Sequence, residues 1–186
     1  SISVSNLVNG TTRLQPVVCE IGQVAGVIAA LSVKNSCSVR EIKVRDVQKV
    51  LLEAGAYLQP YLDLPVEDAD FKVLQRLGST GILRAEGRNV GWTNESWFRA
   101  KDTLLWKDLF LEEYYVVAYR DSSEPVSRSE FVDLLSELSG KPKSEVLKFF
   151  SASEESAGLT RQEAARAIDS VLNPFERDVN FKGELL

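Results

Sequence analysis

Few residues in this chain carry the makings of chemistry. There is no His among its 186 residues, which removes the commonest general acid–base, the usual partner of a nucleophilic Ser or Cys, and the commonest metal ligand. Cys19 and Cys37 have no CxxC spacing, so no zinc site is expected. Their disulfide state stays open, and two small buried apolar residues is the simpler reading. The densest carboxylates are Asp63, Glu67, Asp68 and Asp70. Acids are favoured by the dipole at a helix start, so these read as a solvated turn and helix N-terminus. A glycoside-cleaving pair or a Ca²⁺ site is the alternative, without EF-hand spacing. Asp121-Ser-Ser-Glu124 reads as a turn. No catalytic residue and no metal ligand is nominated.

Two further groups could bind rather than react. Trp92, Trp97, Phe98 and Trp106 are interleaved with polar Thr93-Asn-Glu-Ser96. Such faces suit sugar stacking, but large aromatics more often anchor a core, and core anchoring is expected. Asn94-Glu-Ser96 also matches a glycosylation sequon. The other group is Gly22-Gln-Val-Ala-Gly26. Its spacing is neither a GxGxxG nor a P-loop. With Ala25, Ala29 and Ala30 it makes a small-residue face at helical spacing, which another backbone or a ligand can approach closely.

The elements that must position these residues are mostly helical. Residues 1–20 hold β-branched residues and turn formers and read as extended, with a turn near Asn9. An apolar helix follows from Gly22 to about Leu31. Ser38-Val-Arg-Glu41 has the form of a capping box before the apolar stripe of residues 44–54. Further helices are expected at about 68–77, 101–119, 128–139, 142–150 and 160–172. Arg84 to Glu95 reads as loop, and Pro174 onward as an extended tail. Ser127-Arg-Ser-Glu130 and Thr160-Arg-Gln-Glu163 are capping boxes 33 residues apart, which hints at a degenerate helical repeat. The expected fold is mainly α: a short extended N-terminal segment, then a small multi-helix domain of degenerate helical repeats.

Composition narrows the partners. The net charge is -5, without the basic footprint of a nucleic-acid binder. The longest uncharged apolar stretch, Ile21 to Val33, is shorter than the roughly 20 residues of a membrane span, so none is expected. The chain starts at Ser1 and contains no Met, which points to a piece of a longer polypeptide.

The run from Arg13-Leu-Gln-Pro-Val through Gly22-Gln-Val-Ala-Gly26 to Lys34 resembles the last flavin-contacting segment of a family of FAD-dependent oxidoreductases. Val39 to Gly55 is similar to the helix that follows it there. Val24 replaces the family's first Ala. The resemblance implies a boundary: residues 1–57 as the C-terminal remnant of a FAD-binding domain, and 58–186 as a helical accessory domain. It also implies that Gly22, Gln23 and Gly26 face FAD at a helix N-terminus in the parent protein. The phosphate cradle would lie in an N-terminal part of the same polypeptide, so this chain alone is expected to bind no FAD. Some proteins of this type carry a xanthan lyase label, which implies a link to polysaccharide and an extracytoplasmic place.

Residues 60–173 resemble a degenerate S-layer-homology module. Asp63-Leu-Pro65 stands for its opening, Gly81-Ile82 for the end of its first helix, and Ser127-Arg-Ser-Glu130 and Thr160-Arg-Gln-Glu163 for later helix starts. This resemblance implies glycan or cell-wall polymer binding that uses Arg128 and Arg161, to which the sugar-stacking reading of the aromatic group adds Trp92 and Trp97. Three functions stay open: a non-catalytic part of a flavoenzyme, a glycan-binding module, and a structural packing domain. A homo-oligomer is a further expectation, because the apolar helix needs a cover.

Overall fold

The computed structural model describes residues 4–150 and 158–186. In chain order the elements are helices α1 (Asn6–Thr12), α2 (Gln15–Asn35), α3 (Val44–Glu53) and α4 (Phe71–Gly78); the hairpin β1 (Glu86–Val90) and β2 (Thr93–Trp97); and helices α5 (Arg128–Ser139), α6 (Lys143–Val146) and α7 (Arg161–Val171). The fold is mainly α, as expected.

The N-terminal segment departs from expectation. Residues 6–12 and 15–20 are helical rather than extended. β-Branched residues form a strand only where a neighbouring strand takes their N–H and C=O groups, and no strand among the described residues lies beside them. A helix satisfies the same groups internally. Ser5 caps α1 by accepting from Val8 N, and Pro16 sits at the start of α2, where its missing N–H costs nothing. The resulting 21-residue α2 is long and apolar enough, by length and composition, to cross a membrane. This overturns the length argument against a span, which counted only the stretch between Glu20 and Lys34.

Two apolar clusters hold the molecule. The smaller joins α2 to α3: Ile42, Val47 and Leu51 are buried against Val24, Val27, Ile28 and Leu31. The larger one gathers α4, α5, α7 and the segments between them around Leu74, Leu77, Phe98, Phe131 and Ile168. α3 serves both, because Leu52, one residue from Leu51 on the helix, belongs to the larger cluster. Ion pairs pin the same helix from outside: Lys43 to Asp178 and Lys49 to Glu176, each at 2.6 Å.

The expected helix over 101–119 does not form. Only single 3-10 turns appear, at Trp106–Asp108 and Leu111–Glu113. The segment is drawn out because it bridges two helix starts. Leu104 N donates to Leu159 O at 2.7 Å on one side, and Val126 N donates to Leu104 O at 2.9 Å on the other. α5 and α7 begin directly beyond these contacts, at the expected residues. Thr160 makes a full capping box with Glu163. Ser127 accepts from Glu130 N, and its hydroxyl donates to the Glu130 carboxylate at 2.6 Å.

Three other expectations are corrected. Residues 84–95 are largely a hairpin, in the register Glu86 with Trp97 and Val90 with Thr93, turning at Gly91 with φ of 59°. The tail beyond Pro174 is not simply extended: it opens with a 3-10 turn that buries Phe175. The cysteines are both free: Cys19 is exposed, against expectation, while Cys37 is half-buried and packs on the smaller cluster.

Candidate functional site

α2 has two unlike faces. Val24, Val27, Ile28 and Leu31 recur at helical spacing and pack on α3. Opposite them lie Val18, Gly22, Ala25, Gly26, Ala29 and Val33, all exposed. A methyl group added at Gly22 or Gly26 would meet nothing within 4 Å. Among the described elements only α1 approaches this face, at its Val18, Gly22 and Ala25 end.

The three residues singled out for cofactor contact do not converge. Gly22 lies in a hollow of about 560 Å³ between α1 and α2, with Asn9, Thr12, Arg13, Val18, Ile21 and Ala25. Gly26, one helical turn on, shares its face. Gln23 is turned about 100° away by the helical pitch and lines a second groove, about 540 Å³, between α2 and α3. That groove is apolar, with Ile42, Val47, Leu51, Tyr57 and Phe181 among its walls.

The helix start is also displaced. Unpaired N–H groups belong to the first turn of a helix, and α2 begins at Gln15. Gly22 and Gln23 are two turns inside, where the N–H groups are spent on the helix itself. The expectation that they sit at an N-terminus is corrected; the cause is the helical rather than extended state of residues 15–20. What the hollow offers a dinucleotide cofactor is therefore a flat small-residue wall, the Asn9 amide, the Thr12 hydroxyl and one guanidinium, Arg13. These groups fit an extended or planar portion of such a ligand. A diphosphate requires more donors than they supply.

The glycan-directed residues are scattered. Trp92 stands fully exposed at the hairpin turn. Trp97, at the end of β2, is half-buried: Arg99 lies over its ring at 4.7 Å and its Nε1 donates to Glu95 at 2.9 Å. Phe98 and Trp106 are buried core anchors, as expected. Arg128 pairs with Glu163 at 3.2 Å and faces the Phe150 ring. It thereby ties the start of α5 to that of α7. Arg161 is buried. Its Nε donates to Phe98 O at 2.9 Å, its Nη2 to Arg84 O at 2.5 Å, and Asp108 lies 3.5 Å away. Burial lowers its pKa from the free value, with Asp108 the largest opposing influence. A first-turn arginine lying open to solvent is not what α7 presents.

The acidic group is also split by the fold. Asp63 accepts from Phe98 N at 2.8 Å and Arg99 N at 2.7 Å, bracing the end of the hairpin. Asp70 is buried, not solvated, and is held by Arg166 and Gln162. Among the described residues, no three His, Cys, Asp or Glu side chains are grouped as a metal site would require.

One residue escaped the reading of the sequence. Arg45 is buried on α3. It donates to Tyr114 Oη at 2.9 Å, Gln48 Oε1 at 2.9 Å and Arg177 O at 3.3 Å, and its guanidinium lies 4.7 Å from the Phe175 ring centre. Its place seven residues before Leu52, on the same helical face, is the signal that was available.

No curated protein and no solved structure matches the chain. Residues 1–51, which include α1, α2 and most of α3, match the family model described as FAD dependent oxidoreductase.

Proposed function

We propose that this chain is part of a FAD-dependent oxidoreductase, with α2 as one wall of the cofactor site and the residues from 58 onward as a non-catalytic helical accessory domain. The observation that carries this reading is a coincidence of place. The family match falls on the helix whose Gly22 and Gly26 face is open, and open glycines are what close approach of a ligand or backbone requires. FAD, when bound, would supply the electron transfer. Gly22 and Gly26 would let it approach and Arg13 would face an anionic portion, whereas Gln23 lines the neighbouring groove and would take no part. In this reading the phosphate cradle belongs to another part of the polypeptide, which also covers α2. A membrane-crossing α2 is disfavoured by its packing on α3 through Val24 and Ile28, beside the ion-paired Lys43 and Lys49. A parent substrate among polysaccharides is the finer form of the proposal, and rests on resemblance alone.

The test is a flavin titration of the purified chain beside the polypeptide that contains it. The longer polypeptide is expected to retain flavin, and the chain alone to bind none tightly. Stoichiometric tight binding by the chain would show that the cradle is already present. A longer polypeptide with no flavin would sink the cofactor reading.

Glycan binding is favoured by one observation, the fully exposed Trp92. The burial of Arg161 removes the cation that reading calls for at α7. Loss of binding to an insoluble cell-wall polymer on Trp92→Ala would support it; no binding by the unsubstituted chain would dispose of it.

A further inference from the structure

A groove of about 360 Å³ lies between α5 and the drawn-out segment 106–120. Its apolar lining is Trp106, Leu109, Leu111 and Leu134, and its carboxylates are Glu112, Glu130, Asp133 and Glu137. Among the described residues, the only cation lining it is Arg120. Asp133 is paired at the rim with Lys143, at 2.6 Å. Arg120 shows how a guanidinium fits: it lies 4.3 Å from the Trp106 ring centre and 3.6 Å from the Glu130 carboxylate. The neighbouring Phe110 takes Arg84 the same way, at 3.9 Å.

We propose that this groove docks an arginine-bearing segment of a partner protein. The occupant follows from charge complementarity with an apolar complement. Glu130 is already paired with Arg120 and Asp133 with Lys143, so Glu112 and Glu137 are the carboxylates that call for a further cation, and an indole floor favours a planar guanidinium over an ammonium. The leucine floor takes an apolar side chain beside it, which a small polyamine does not have. Arg120 then acts as an internal occupant that the partner's arginine displaces or joins.

The experiment is fluorescence anisotropy with the whole chain and a labelled peptide of alternating leucine and arginine. The expected result is saturable binding that weakens as salt rises. Glu112→Lys with Glu137→Lys should weaken it at least about tenfold, whereas the exposed Glu67→Lys, with the same sign of charge change, should not. Arg120→Ala should strengthen it. Three results would overturn the proposal: no binding by the unsubstituted chain, equal binding of a leucine–glutamate peptide, or full affinity in the Glu112/Glu137 variant. Displacement by spermine at equal concentration would transfer the groove to small amines and end the partner-protein reading. The salt dependence is read on the unsubstituted chain, so it stands even where a variant fails to fold.

Discussion

Arg161 serves the fold at the position where the resemblance to a glycan-binding module would place a ligand-binding guanidinium. Its guanidinium satisfies the carbonyls of Arg84 and Phe98, which flank the open end of the hairpin. Arg161→Ala leaves those acceptors and Asp108 without a donor, and should cost about 3 kcal/mol, read from urea unfolding. Gly78 is a second point of strict fit. A Cβ there would stand 2.0 Å from the Tyr61 hydroxyl. Tyr61 itself is buried, and burial pushes its pKa up to about 12. Gly78→Ala should therefore destabilise by about 1–3 kcal/mol. Tyr61→Phe should recover part of that loss in a double-mutant cycle, because it removes the nearest atom. Asp70 sets part of the acid limb. Burial alone would raise its pKa, but the hydrogen bonds from Arg166 and Gln162 outweigh it and hold the carboxyl below its ordinary value. A carboxylate with a depressed folded pKa stabilises fully above its unfolded pKa of about 4 and loses that contribution as pH falls through the folded value. Asp70→Asn should thus lower stability at neutral pH by roughly 1–2 kcal/mol, since Arg166 is half exposed, and flatten the acid limb of the pH profile.

The helices with strong local signals were the ones legible in the sequence. α5 and α7 start at their Ser127 and Thr160 caps. Thr160→Ala should cost about 1–2 kcal/mol, and thermal unfolding should show it. Residues 101–119 misled because their apolar spacing serves an extended bridge, fixed by contacts to Leu159 and Val126 that no local pattern reveals. The hairpin was missed for a related reason. Its residues are exposed and polar, so no alternation marks it, and its ends are held by Asp63 and Arg161 from distant parts of the chain. The candidate cofactor face was legible as small residues at helical spacing. That Gly22 and Gln23 would point into different hollows, and sit two turns inside the helix, was not. That depended on residues 15–20 becoming helical in the absence of a neighbouring strand. α2 itself has no buried residue. Its amides should exchange with solvent well before those of α5 and α7, as hydrogen exchange would report; protection equal to theirs would mean that its face is covered in solution.

Across the molecule, α3 is the joint. It packs on α2 through Val47 and Leu51, and it is anchored in the larger cluster through Leu52 and the buried Arg45 network. The segment that matches the oxidoreductase family is thus held by the helical domain along its last element. In the proposed reading, this arrangement gives the helical region from residue 58 onward a physical task, which is to fix α3 and, through it, the angle of α2. In the same reading, the open face of α2 awaits the rest of the site. The proposed function requires this face, through Gly22 and Gly26, to lie against the cofactor in the longer polypeptide. The direct measurement is flavin content, by visible absorbance, of that polypeptide carrying Gly22→Leu or Gly26→Leu. A Cβ at either position meets no atom within 4 Å, and both residues lie on the exposed face of α2 away from the larger cluster, so folding of the helical domain should be unchanged. Bound flavin should fall at least about tenfold while thermal unfolding of the helical domain stays where it was. Full flavin content in both variants would contradict it.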